Sequence, residues 1–188
     1  MIKNSTRVII KKRMTRIEII VGCMFSGKSS ELIRRVKRHQ AIKESVLVIN
    51  SSKDTRSPQE VIRTHNSDTL SCVKVSDLSS LGIENMYDVV AIDEAQFFTG
   101  LKCFVETIMG STKTIIIAGL DGDFRQRPFG EILELVPMAD EVLKLHALCM
   151  VCKDGTLAPF TRRFCEDHET QELVGDHDIY KAVCRKCL

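Results

Sequence analysis

The sequence predicts an α/β fold: a parallel sheet with helices on both faces, followed by a small cysteine-rich appendage. Three observations carry this expectation. Near-continuous apolar runs, short enough to be strands, recur along most of the chain, as in strands buried on both faces of a parallel sheet. A segment of helical period directly follows the first of them, which is the order of a strand–helix unit. From about residue 148 the texture changes to Cys, His and charged residues, with too few apolar side chains for an independent core, so that segment needs a staple.

Residues 1–16 hold Lys3, Arg7, Lys11, Lys12, Arg13 and Arg16 and no acid, while the whole chain has a net charge of only +2, so the remainder is net acidic. A disordered basic extension is expected over 1–16, with Met14 as a possible second start. This extension lacks the apolar core and small-residue cleavage site of a secretory signal. The acidic body offers no nucleic-acid-binding stripe, and no apolar run is long enough to cross a bilayer. The first strand is expected at "I-E-I-I-V" (17–21), and Leu32, Ile33 and Val36 give residues 29–41 a helical apolar face. Further strands are expected at 46–50, 87–93 and 114–120, with an alternating fifth at 142–147. Residues 53–70 are polar, contain a proline and read as a loop or an excursion from the sheet. The domain boundaries expected are 17–147 for the α/β body and 148–188 for the appendage.

Between the first strand and the first helix lies "G-C-M-F-S-G-K-S", Gly22 to Ser29. It fits G-x-x-x-x-G-K-[ST], in which glycines let backbone N–H groups turn onto phosphate oxygens. In that pattern Lys28 supplies a point charge to the β/γ-phosphates, and the hydroxyl of Ser29 reaches Mg²⁺. The helix that follows adds its positive end, so Gly22, Cys23, Met24, Phe25, Ser26, Gly27, Lys28, Ser29 and Ser30 are the candidate ATP-binding residues. A plain strand–helix turn would not need this spacing. The fold expected is therefore of the P-loop NTPase type.

Asp93 and Glu94 end the apolar run "V-V-A-I-D-E". An acid at a strand end downstream of such a loop is where the second Mg²⁺ contact is expected, which assigns Asp93 to the metal. Glu94 is then the candidate base. Its proton comes either from water, in an ATPase, or from a substrate hydroxyl, in a kinase, and these two motifs do not separate the cases. A third motif, "G-L-D-G-D-F-R-Q-R-P-F-G" (119–130), follows another strand. It sets Phe124 and Phe129 to flank a flat ring and Arg125 and Arg127 to face phosphate, at the strand ends where α/β sheets bind ligands.

The chain has eight cysteines, four of them in the pairs Cys149/Cys152 and Cys184/Cys187. Two C-x-x-C pairs supply four thiolates for a tetrahedral structural zinc site, and a lone redox C-x-x-C seldom comes doubled. The 31 residues between Cys152 and Cys184 exceed the span of a compact zinc ribbon and leave room for a loop. His146, His168 and His177 are reserve ligands only if a cysteine fails. Cys72, Cys103 and Cys165 read as ordinary thiols, and thiols kept for metal point to a reducing, cytosolic compartment.

"M-F-S-G-K-S", "D-T-R", "D-E-A-Q-F-F", the third motif, C-x-x-C and "Y-K-A-V-C-R-K-C" occur in this order from about Ile17 to Cys187. Together they resemble the cytosolic-type, zinc-containing thymidine kinase family, also found in bacteria and large DNA viruses. The resemblance implies phosphoryl transfer from ATP to the 5′-hydroxyl of thymidine with Mg²⁺, and a zinc-binding lasso domain that closes over the nucleoside. It implies Glu94 as general base and Arg56 of "D-T-R" as a phosphate-side arginine. It implies Met24, Phe97, Leu120, Phe124 and Phe129 as thymine-pocket residues, and Thr161, Val174 and Tyr180 as contacts from the lasso side. Cys149, Cys152, Cys184 and Cys187 match the zinc ligands. A homotetramer, feedback inhibition by dTTP, and the absence of nucleic-acid and membrane partners are likewise implied. The chain departs from the family pattern at Cys23, where proline is common, and at "T-H-N" (64–66), where the commoner form is T-H-D. The rival expectation is an ATP-driven nucleic-acid-binding protein with a zinc module, which leaves the Phe-rich third motif unexplained.

Overall fold

The computed structural model describes residues 14–188 except 56–59, 64–68, 84, 166–169, 174 and 176–177. Arg56, Val174, Asn66, His168, His177 and the extension before Met14 therefore lie outside the described residues.

Six parallel strands form the central sheet in the order β5-β2-β6-β7-β1-β8. They are β1 (Arg16–Gly22), β2 (Val46–Ser51), β5 (Val73–Val75), β6 (Val89–Ile92), β7 (Thr114–Gly119) and β8 (Glu141–Leu145). All five neighbouring pairs run parallel, with β1 between β7 and β8. The α/β expectation holds, and its five strands are all present. The sixth, β5, was not expected: at three residues, V-K-V, it is too short to show a period.

Strand alternation sorts the sheet residues onto two faces. Ile17, Ile19, Val21, Ile49, Val90, Ile92, Ile115 and Ile117 pack on one side, with helix α2 (Leu101–Ile108) and the 3₁₀ turn 132–138. Helix α2 buries Leu101, Phe104, Val105 and Ile108, the i, i+3, i+4, i+7 stripe of an amphipathic helix. Ile20, Val48, Val89, Ala91, Ile116 and Ala118 pack on the other side against Leu32, Ile33 and Val36 of α1 (Lys28–Ala41). Helices thus cover both faces.

On the α1 face, Glu18 of β1 points at the helix. The guanidinium of Arg35, only 8 % exposed, meets Glu18, Glu31 and Glu141 and so ties α1 to both β1 and β8. Burial works against the Arg35 charge, but the hydrogen bonds it donates to these three carboxylates outweigh it and raise its pKa.

Part of the polar stretch after β2 leaves the main sheet, as expected. There β3 (Val61–Arg63) and β4 (Thr69–Ser71) pair antiparallel. Beyond β8 the chain forms two small antiparallel ladders, β9 (Ala147–Leu148) with β10 (Leu157–Ala158), and β11 (Phe160–Arg163) with β12 (Tyr180–Val183). Their core is small: Ala147, Cys149, Ala158, Ala182, Val183 and Cys184, joined by Cys23 from the loop after β1. Among the described residues no helix is long and apolar enough to cross a membrane.

Candidate active site

Parallel strands bring the loops after β1, β2, β6 and β7 to one edge of the sheet, where α/β folds bind ligands. The first loop turns at Gly22, whose φ is +149° and where a Cβ would lie 2.3 Å from the Leu145 carbonyl oxygen of β8. Only glycine fits that approach. Gly27, at φ +86°, opens α1, whose first turn carries Lys28, Ser29 and Ser30. The Cys23 carbonyl accepts from Ser26 Oγ at 2.8 Å and from Lys28 Nζ at 2.7 Å, so the loop closes around its own backbone.

Cys23 itself points away from the loop's mouth. Its thiol is buried and donates to the Ala158 carbonyl at 3.1 Å, and burial raises its pKa. The side chain belongs to the core of the C-terminal ladders. One residue on, the Met24 amide donates to Thr161 Oγ1 of β11 at 2.9 Å. The first motif and the C-terminal segment are therefore joined by two bonds on adjacent residues.

Asp93 and Glu94 leave the end of β6 with 3 % and 8 % exposure. Glu94 adopts φ 50°, ψ 40°, the left-handed region uncommon for a residue with a side chain. The amide of Gln96 donates from Nε2 to Glu94 Oε2 at 2.6 Å, and Gln96 Oε1 accepts from the Leu120 amide at 3.0 Å. The second and third motifs thus meet through Gln96.

In the third motif Asp123 organises the turn, its Oδ1 accepting from the amides of Arg125 and Arg127 at 2.8 and 2.9 Å. Its Oδ2 accepts from Gln171 Nε2 at 3.0 Å, a contact from the segment between β11 and β12. Phe129 meets Phe97 edge-on, with centroids 5.7 Å apart. Phe124 lies under the guanidinium of Arg163 at 3.9 Å, and Arg125 is 5.0 Å from the same ring. Arg163, 4 % exposed, also donates to Tyr180 Oη at 2.7 Å and to the backbone of Thr170 and Gln171. Tyr180 Oη in turn donates to the Leu173 carbonyl at 2.8 Å. A further strap joins Lys53 Nζ to Glu172 at 2.6 Å, with Lys53 5.9 Å above the Phe97 ring.

The expected ring-contacting residues therefore fall into linked groups: Met24 with Thr161, Phe97 with Phe129, Leu120 with Gln96, and Phe124 with Tyr180 through Arg163. No sequence signal singles out Gln96 or Arg163. Gln96 lies within "D-E-A-Q-F-F", yet an amide carries no periodicity signal. Arg163 sits in a charged segment with no apolar period, and only its contacts with Phe124 and Tyr180 single it out.

The four paired cysteines converge: the sulfurs of Cys149, Cys152, Cys184 and Cys187 all lie within 4.8 Å of one another. Cys152 Sγ is 3.4 Å from Cys187 and 3.7 Å from Cys184, close to the ~3.8 Å edge of a tetrahedron with zinc–sulfur bonds of about 2.3 Å. The amides of Cys152 and Cys184 each donate to Cys149 Sγ at 3.4 Å. Those backbone donors hold the Cys149 thiol down to about 6, whereas the crowding of sulfurs raises Cys152, so the cluster as a whole becomes thiolate only with a cation among the four sulfurs. The donor set fits zinc.

With this geometry in place, comparison with known proteins is direct. The sequence profile of the family described as "Thymidine kinase" matches residues 15–188. The thymidine kinase of Myxoma virus (strain Uriarra) is 44 % identical over 174 residues, covering 92 % of this chain and 95 % of the viral one. The cytosolic thymidine kinase of Homo sapiens is 42 % identical over 177 residues, 94 % of this chain and 74 % of the human one. Thymidine kinase a of Arabidopsis thaliana is 44 % identical over 177 residues, 90 % and 73 % of the two chains. The profile covers every strand and helix described above, and the likeness extends to viral, animal and plant proteins: the chain belongs to the thymidine kinase family.

Proposed function

We propose that this chain transfers the γ-phosphoryl group of ATP to the 5′-hydroxyl of thymidine, giving dTMP and ADP. One observation carries the residue-level reading: a buried carboxylate, Glu94, leaves the end of β6 beside the third motif after β7, on the same edge of the sheet as the Gly22–Ser29 loop, and is held by Gln96. Glu94 takes the proton from the 5′-hydroxyl as that oxygen attacks the γ-phosphorus. The bond from the γ-phosphorus to the bridging oxygen breaks, and ADP leaves. The loop amides and Lys28 hold the triphosphate, and the N-terminal end of α1 favours its charge. Ser29 and Asp93 are the residues that would hold Mg²⁺, which when bound spreads the phosphate charge. Arg56 completes the phosphate side.

The thymine ring is read as lying among Met24, Phe97, Leu120, Phe124 and Phe129, with Thr161, Val174 and Tyr180 on the lasso side. Residues 17–147 are then a P-loop body, and 148–188 a zinc-binding lasso that keeps water from the γ-phosphate. A cytosolic homotetramer inhibited by dTTP completes the proposal.

The test is product analysis with ATP, Mg²⁺ and thymidine for the wild type and for Glu94→Gln. The wild type is expected to form dTMP, and Glu94→Gln to bind ATP normally while losing most turnover. ADP formation without dTMP would refute the transfer, and a fully active Glu94→Gln would refute the base.

A further inference from the structure

Gln96 is 3 % exposed, and both ends of its amide are engaged. One end donates to Glu94 Oε2 at 2.6 Å and the other accepts from the Leu120 amide at 3.0 Å. This orientation is the only one that satisfies both neighbours. A backbone N–H can only donate, so it must face Oε1, and the nitrogen must then face the carboxylate. A flipped amide would set two donors against each other and two acceptors against each other.

The surrounding backbone is cut away to admit this side chain. A Cβ at Gly119 would stand 2.8 Å from Gln96 Oε1, and a Cβ at Gly130 would stand 2.4 Å from the Gln96 carbonyl oxygen. Gly130 also holds φ +62°. The two glycines that bound the third motif therefore both close on the same residue of the second. Glu94, meanwhile, sits in a left-handed backbone conformation that its own preferences would not choose. The Gln96 bond fixes the carboxylate in the direction this backbone gives it.

We propose that Gln96 is a positioning residue: it aims the Glu94 carboxylate at the acceptor hydroxyl and registers it against Leu120 on the nucleoside side. The proposal rests on the reading of Glu94 as the base. A base displaced by about 1 Å can lose on the order of 100-fold in rate while binding is unchanged. Gln96 touches no substrate in this scheme and acts only through Glu94 and Leu120.

The experiment is steady-state kinetics of Gln96→Leu, Gln96→Glu and Glu94→Gln, with KM for ATP determined for each and folding checked by thermal unfolding. Gln96→Leu removes both bonds. Gln96→Glu keeps the acceptor for the Leu120 amide but sets a like charge against Glu94, so it remains informative if the leucine variant folds poorly. The expected result is a fall in kcat of about 10- to 100-fold in either folded Gln96 variant, with KM for ATP within about twofold of wild type. A merely structural role would not split kcat from KM in this way. If Glu94→Gln is inactive but both Gln96 variants turn over within about twofold of wild type, the positioning role is overturned and the base assignment stands. If Glu94→Gln retains full turnover, the base reading fails and takes the positioning role with it.

Discussion

The buried thiol of Cys23 donates to the carbonyl of Ala158 at 3.1 Å, so the loop after β1 shares a core with the cysteine-bearing C-terminal ladders. The next residue repeats the link, the Met24 amide donating to Thr161 Oγ1. The C-terminal ladders and the Gly22–Ser29 loop are thus joined at two adjacent residues, so that under the proposed function the nucleoside side and the triphosphate side would move as one mechanical unit.

Thr161→Val tests that unit. It leaves the Met24 amide without its acceptor in a site where Thr161 is 5 % exposed. Stability should fall by about 1–3 kcal/mol, the usual cost of orphaning a buried donor. KM should rise for ATP as well as for thymidine, because the loop and the lasso side loosen together. Unchanged unfolding and a KM change confined to thymidine would show that the link carries no load.

Cys187→Ser should release the metal. The remaining three sulfurs belong to Cys149, Cys152 and Cys184, and a hydroxyl is a poor substitute for the fourth thiolate. Elemental analysis is expected to show zinc in the wild type and its loss in the variant, with a lower unfolding temperature. Wild-type metal content in the variant would exclude Cys187 from the ligand set.

Thiol reactivity should follow burial. Cys103 is exposed, whereas burial raises the thiol pKa of Cys23 and pushes that of Cys72 up to about 11. Mild alkylation of the native protein, read by mass spectrometry, should modify Cys103 before either buried thiol. Early modification of Cys23 would contradict its place in the C-terminal core.

The cluster around Arg35 sets an acid limit. Hydrogen bonds from Arg34 and Arg35 hold the Glu31 carboxyl down to about 2 from an ordinary 4.5, against the opposing effect of burial. Glu18 is also lowered: burial opposes this, and Arg16 and Arg35 outweigh it. A lowered carboxylate contributes stability that is fully present above its unfolded value and is lost as pH falls through its folded value. Unfolding free energy should therefore drop progressively between pH 4.5 and about 2. Arg35→Leu takes one arginine from each of three carboxylates, leaving Arg16 on Glu18 and Glu141 and Arg34 on Glu31, and should cost about 1–3 kcal/mol at neutral pH while making this acid limb shallower. Denaturant titration across pH checks both; an unchanged acid limb in the variant would remove the cluster from the account.

Much of the architecture could be read from the chain because burial on both sheet faces writes continuous apolar runs into β1, β2, β6 and β7. The Gly22–Ser29 loop was legible because close approach to β8 and the turn into α1 admit only glycine at Gly22 and favour it at Gly27. What stayed hidden was of another kind. β5 owes its place to pairing with Ile49 and Ser51 of β2 rather than to its three residues. Gln96 and Arg163 matter through partners distant in sequence, Leu120 for the first and Phe124 for the second, and no local pattern announces such contacts. The place of Cys23 in the C-terminal core is likewise set by its neighbours in space, Ala158 and Cys149, and not by its neighbours in sequence.

The most direct test is to follow the label from γ-labelled ATP with each of the four deoxynucleosides, with no acceptor, and with single-stranded DNA. Phosphoryl transfer to a nucleoside hydroxyl predicts label on thymidine, with little free phosphate when no acceptor is present. Label released only as free phosphate, and faster with DNA, would mean that the loop drives an ATPase and that the third motif does not hold a base.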